Sequence, residues 1–180
     1  MYKIVEKYSS GLIKFRIPKY ADHRGSFLKL FNFEELCKIG INFKPREHFH
    51  SISNKNVIRG MHFQINQSAH NKIVHCIKGS IIDVCVDIRK QSKYYNEPTA
   101  IKLEEESDLA IFVPKGFAHG FLSLKNNTIV QYMADKEHNP IEDKGIHWSS
   151  INYDWECQNP ILSARDSKHP GIGDQKWIFS

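Results

Sequence analysis

The sequence predicts an all-β fold, a sandwich or barrel of short strands with short flanking helices. Three observations carry this. Apolar and polar residues alternate over short stretches along most of the chain, Gly, Pro, Asn and Asp clusters punctuate those stretches, and one segment alone, Phe33 to Ile39, shows helix start and stop signals. Side chains on a strand alternate between faces, so an alternating run buries one face and wets the other. Many such runs with almost no helix leave a two-layered or closed β-structure as the means of building one core.

Taken in order, Gly11 to Pro18 alternates apolar and basic residues and stops at proline. Asp22-His23-Arg24-Gly25 reads as a turn, followed by a strand from Ser26 to Phe31. Asn32 stands where a helix cap belongs, Glu35 follows three residues on as in a capping box, and Gly40 closes the helix. Residues 41–56 read as polar and irregular, with His48, His50 and Ser51 among them. Val57 to Gln64 is the central strand. On strict alternation Met61 and Phe63 face one way, while Ile58, Gly60, His62 and Gln64 face the other. Lys72 to Ile77 and Ile81 to Ile88 flank Lys78-Gly79-Ser80, which reads as a hairpin turn. Ile101 to Leu103, Leu109 to Val113, Phe117 to Leu124 and Thr128 to Met133 continue the strand pattern. From Gly145 the pattern is irregular and carries Trp148, Trp155 and Trp177, as expected of a segment that wraps the barrel.

Length and composition narrow the function. The 180 residues suit a single domain spanning 1–180, with an ordinary globular balance of 41% hydrophobic and 25% charged residues. A formal charge of +5 favours anionic partners, yet Lys and Arg are scattered, which fits a phosphorylated small molecule better than nucleic acid. No long apolar segment and no leader pattern is present, so no membrane partner and a cytoplasmic location are expected. Cys37, Cys76, Cys85 and Cys157 lack metal-type spacing, and Cys76 and Cys85 read as small core residues.

Three stretches carry chemistry-bearing residues on strands. His62 follows Gly60 by two positions, His119 shares a strand face with Phe117 and Phe121, and Tyr132 shares one with Thr128 and Val130. Each alone fits core packing. Together with Lys72 they supply two bases, a cation and a phenol, a set suited to moving a proton on carbon beside a carbonyl.

The order and spacing of Arg59-Gly60-Met61-His62-Phe63-Gln64, Lys72-Ile73-Val74, Asp83 to Arg89, Pro114 to Phe121, Gly145-Ile146-His147-Trp148 and Leu162-Ser163-Ala164-Arg165-Asp166 resemble the dTDP-4-dehydrorhamnose 3,5-epimerase family. The resemblance implies a cupin-type jelly roll, a homodimer exchanging N-terminal strands, and epimerisation of a nucleotide-linked 4-keto sugar without metal or other cofactor. It implies His62 as general base oriented by Asp166, Tyr132 as proton donor on the opposite face of the sugar, and Lys72 and His119 as stabilisers of a C4 enolate. Arg59 and a partner's Arg24 would hold the diphosphate, and Phe27, Lys29, Glu47, Phe49, Ser51, Gln64, Glu137 and Arg165 would complete the substrate site.

Departures from the family pattern cluster at Lys29, at Glu47 and Phe49 in place of glutamine and asparagine, and at Glu137 in place of an aromatic. They bear on the nucleotide base, which is expected to be guanine, with thymine as the alternative. By analogy, GDP-linked 4-keto hexoses or heptoses belong to capsule or lipopolysaccharide pathways. Other classes remain open on residues alone. A metal-dependent cupin needs His-x-His, and Gln64 stands in the second position. A non-catalytic nucleotide-sugar binder needs neither Tyr132 nor Asp166, and a 3,4-ketoisomerase would move the ketone.

Overall fold

The computed structural model describes residues 1–174. Its strands, in chain order, are β1 (Lys3–Lys7), β2 (Ile13–Arg16), β3 (Lys19–Asp22), β4 (Gly25–Leu28), β5 (Glu47–Ser53), β6 (Ile58–Gln64), β7 (Lys72–Lys78), β8 (Ser80–Asp87), β9 (Pro98–Glu104), β10 (Leu109–Val113), β11 (Phe117–Ser123), β12 (Thr128–Ala134) and β13 (Asp143–Gly145), with helix α1 (Phe33–Lys38) between β4 and β5. A six-stranded sheet runs β1-β2-β10-β7-β12-β5, a five-stranded one β13-β6-β11-β8-β9, and β3 pairs with β4 as a separate hairpin. All pairings between these strands are antiparallel. This is the predicted all-β sandwich, a cupin-type jelly roll.

Three apolar clusters hold the layers. Val74, Cys76 and Val130 from one sheet meet Cys85, Phe117 and Phe121 from the other in the interior. The outer face of the six-stranded sheet is covered by Leu36, Ile41 and Phe43, brought in by the helix. Asn32 caps that helix as its sequence predicts, accepting the Glu35 N–H at 3.0 Å. The outer face of the five-stranded sheet is covered by the irregular C-terminal segment through Ile146, Ile151, Trp155 and Ile172. Trp177 lies outside the described residues. The four cysteines are all free thiols, with Cys76 and Cys85 buried.

The structure corrects the sequence reading in three places. Residues 47–53 are not irregular: β5 pairs with β12 along its whole length, from Ser53 opposite Thr128 to Glu47 opposite Ala134. It was hard to see because it is an edge strand with most residues open to solvent, so no apolar alternation marks it. Lys78-Gly79-Ser80 is not a hairpin. It carries the chain from one sheet to the other, β7 pairing with β10 and β12 while β8 pairs with β9 and β11. Finally, Ile58 packs with Met61 and Phe63 on the outer side of β6, while Arg59 joins His62 and Gln64 on the cavity side.

That last change of face comes from a register shift. His62 lies opposite His119 but Arg59 opposite Phe121, one residue out of step. The shift sits where two glycines meet. A methyl group on Gly60 would lie 2.6 Å from the Gly120 Cα, and Gly60 has φ +139°, which L side chains rarely adopt. Gly60→Ala is therefore expected to cost about 2 kcal/mol or more, seen as a lower urea midpoint. An unchanged midpoint would show that β6 and β11 separate freely.

Candidate active site

The jelly roll leaves a cavity of about 770 Å³ between the sheets, lined by residues from both. β6 and β11 of the five-stranded sheet contribute His62 and His119, which are register partners. β7 and β12 of the six-stranded sheet contribute Lys72 and Tyr132. Across the gap the His119 and Tyr132 rings stand 6.3 Å apart, centre to centre.

Behind His62 lies Asp166, buried, in the short helical turn Asp166–Lys168 of the C-terminal wrap. Its Oδ1 is 2.8 Å from the His62 Nε2, its Oδ2 accepts the Gly60 N–H at 3.3 Å, and its own N–H is held by the Ser163 Oγ at 3.0 Å. Burial alone would raise the Asp166 carboxyl, but the hydrogen bond and charge of His62, with the Gly60 and Ser163 bonds, outweigh it and hold the group below the ordinary carboxylate range. An ionised Asp166 accepts only, so the His62 proton resides on Nε2. The Nδ1 lone pair is then free to take a proton.

Three further groups are poised in distinct ways. His119 Nε2 contacts the fully buried Asp83 Oδ2 at 2.8 Å, a second imidazole–carboxylate pair. Tyr132 shares a hydrogen bond with the Ser51 hydroxyl at 3.2 Å, and burial drives its phenol far above the ordinary tyrosine range, so it stays a proton donor. Its ring stacks on Phe49 at 5.0 Å and 16°. Burial lowers the Lys72 ammonium from its ordinary range, opposed mainly by the Asp143 carboxylate. Beside it, His70 is pushed down to about 4 by burial and then by the Lys72 charge, so it is neutral near pH 7.

At the wall, Arg59 donates from Nε to the Ser53 Oγ and from Nη2 to the Ile52 carbonyl, both at 3.0 Å. Arg165 pairs with Asp143 at 2.6 Å. Glu47 Oε1 and Gln64 Oε1 accept the N–H groups of His138 and Asn139, each at 2.9 Å.

Of the residues singled out from sequence, His62, Lys72, His119, Tyr132, Glu47, Phe49, Ser51, Arg59, Gln64 and Arg165 line this one cavity. Four of the expected substrate-binding residues do not reach it in their own chain. Arg24 forks onto Asp22 at the tip of the β3–β4 hairpin, Phe27 is 60% exposed, and Lys29 follows the hairpin. Glu137 is displaced too, lining a separate depression with Arg46 and Lys136, while its neighbour His138 faces the cavity. Sequence reasoning passed over Asp83, His70, His138 and Asp143. Asp83 had a signal, a carboxylate inside an otherwise apolar run, which requires a buried partner. The other three sit at loop or strand ends with no periodic mark.

Fold and site define a cupin-type enzyme built for acid–base work, of the isomerase class. Residues 8–174 match the family model described as dTDP-4-dehydrorhamnose 3,5-epimerase. The chain is 37% identical over 167 residues to the dTDP-4-dehydrorhamnose 3,5-epimerase of Shigella flexneri, covering 89% of this chain and 88% of that one. A Methanothermobacter thermautotrophicus protein of the same name is 35% identical, with 92% and 91% covered. The Bacillus anthracis dTDP-4-dehydrorhamnose 3,5-epimerase, solved with TDP and pyrophosphate bound, superposes with a TM-score of 0.92 at 32% identity, covering 95% of this chain and 99% of that one. This chain belongs to the dTDP-4-dehydrorhamnose 3,5-epimerase family.

Because Asp143 is the main charge opposing the burial of Lys72, Asp143→Asn should lower the Lys72 pKa further. Titration of the Lys72 side chain by NMR should place wild type below ordinary lysine and the variant lower still. An unchanged value on removing the carboxylate would show that another anion holds the ammonium.

Proposed function

We propose that this chain inverts C3, or C3 and C5, of a nucleotide-diphosphate-linked 4-keto sugar, in the supply of sugars for capsule or lipopolysaccharide. The observation that supports this reading is the convergence in one cavity of a carboxylate-backed imidazole, a buried phenol and a half-buried lysine. Nδ1 of His62 takes the proton next to the carbonyl, and the charge left on Nε2 is met by Asp166. The electron pair moves into a C4 enolate, where Lys72 and His119 face the developing charge. Tyr132 then protonates the same carbon from the opposite face. Two groups are required, because one group returning its own proton restores the starting configuration.

Arg59 and Arg165 at the cavity wall suit the diphosphate, Arg59 through the planar fork that guanidinium presents to phosphate oxygens. The β3–β4 hairpin leaves Arg24, Phe27 and Lys29 exposed and outside their own cavity. In our reading it reaches into the cavity of a second copy, making the enzyme a homodimer with shared sites. The linked base is read as guanine on the identities of Glu47 and Phe49, since a carboxylate accepts from the guanine N1–H and exocyclic amine. The solved relative from Legionella pneumophila, 28% identical, is named as complexed with dTDP-4-keto-L-rhamnose, so thymine is the competing reading.

In deuterated water, His62→Asn is expected to lose C3 and C5 exchange on a 4-keto nucleotide sugar by about 10²–10⁴-fold. Tyr132→Phe should retain wash-in but lose inversion at one centre or more. Wild-type exchange in the first variant, or full inversion in the second, would remove the role assigned. Calorimetry at matched concentration should show GDP binding more tightly than dTDP, by roughly 10²-fold if the base also donates to the Glu47 carboxylate that takes the His138 N–H. Tighter dTDP overturns the base and leaves the reaction standing.

A further inference from the structure

The residue this chemistry does not use is His169. Its ring stands against the dyad, 5.6 Å centre to centre from His62 and nearly edge-on at 74°. Its Nε2 is buried without a hydrogen-bond partner among the described residues, 3.7 Å from the Asp166 Oδ1. That is too far for a hydrogen bond, so a desolvated ring nitrogen faces a carboxylate without bonding to it. The space it occupies exists because Gly145 is glycine. A Cβ there would lie 2.3 to 2.6 Å from the His169 ring atoms, and Gly145 is the register partner of His62 on the neighbouring strand.

We propose that His62, Asp166 and His169 form a binding site for a divalent transition ion such as zinc, and that the ion switches the enzyme off. The three ligand atoms, Nε2, Oδ1 and Nε2, all lie within 4.8 Å of one another. Tetrahedral zinc with bonds of about 2.0–2.1 Å needs ligands roughly 3.3 Å apart. The observed 2.8 Å and 3.7 Å straddle that spacing. Two imidazoles and a carboxylate are the donor set such ions favour. Of the three residues His62 lines the cavity, with its side chain 31% exposed.

The ion takes the Nε2 lone pair of His62, which the neutral ring offers only when its single hydrogen has moved from Nε2 to Nδ1, so the ring stays neutral and no proton leaves it. Nδ1, the atom that must accept the substrate proton, then carries that hydrogen, and the base is lost. A second trio, Asp83, Cys85 and His119, has ligand spacing too but is fully buried, so the first site should fill first.

Cobalt(II) reports geometry directly. One equivalent added to the metal-stripped full-length protein should give visible absorption of a four-coordinate site without a thiolate charge-transfer band, and zinc should displace it. His169→Ala should weaken zinc binding at least about tenfold by calorimetry, with folding checked by thermal melting. His169→Cys should restore binding and add the thiolate band. Where exchange activity is measurable, the ratio of rates with and without zinc should lie well below one in wild type, be restored to one there by chelator, and rise towards one in His169→Ala without it. No cobalt absorption in wild type overturns the site, as does binding indifferent to His169. A thiolate band in wild type assigns the ion to Cys85 instead. The spectra stand even if no nucleotide sugar proves to be a substrate, so failure of the epimerase reading and of the metal site are separable.

Discussion

The contact between His62 and Asp166 is the interaction on which the rest of the site depends. It joins the central strand to a segment with little regular structure of its own, whose path is set by Ile146, Ile151, Trp155 and Ile172 packing on the outer sheet face. The same carboxylate takes the Gly60 N–H, so one side chain fixes both the imidazole and the backbone two residues before it. Lose the apolar cover and the dyad has nothing to hold its acid in place. Packing on the outside of the barrel thus sets proton chemistry on the inside.

The cavity divides its tasks between the layers. The imidazoles rise from the five-stranded sheet, each backed by a buried carboxylate, while the phenol and the lysine come from the six-stranded sheet. Burial then acts in opposite directions on two groups of opposite charge type. It holds Tyr132 protonated and makes the Lys72 ammonium easier to discharge. The two kinds of group thus stand on separate layers and face each other across the cavity.

Much of this was legible from the residues, and the reasons it was not complete are physical. The inner strands could be read because both sheets bury them: β7, β8, β11 and β12 carry dense apolar runs. The edge strand β5 could not, since its exposed positions need no apolar side chain. Alternation failed at β6 because a one-residue register shift near Gly60 is invisible to a period of two. Pairing of consecutive strands failed at Gly79, where a jelly roll switches sheets and a hairpin would not. The cavity groups His62, Lys72, His119 and Tyr132 were found from their places on patterned strands, whereas His138 and His169 lie outside the strands and Asp143 opens the short strand β13, where no local pattern marks them.

The dyad also spans the chain in a way that bears on synthesis. His62 and Asp166 are 104 positions apart, so a ribosome must extrude nearly every described residue before the base has its acid. A product stopped after β12 would have both halves of the barrel and all four cavity groups yet carry an unsupported imidazole. The pairing of imidazole and carboxylate therefore forms last, once the C-terminal segment has packed on the outer sheet face.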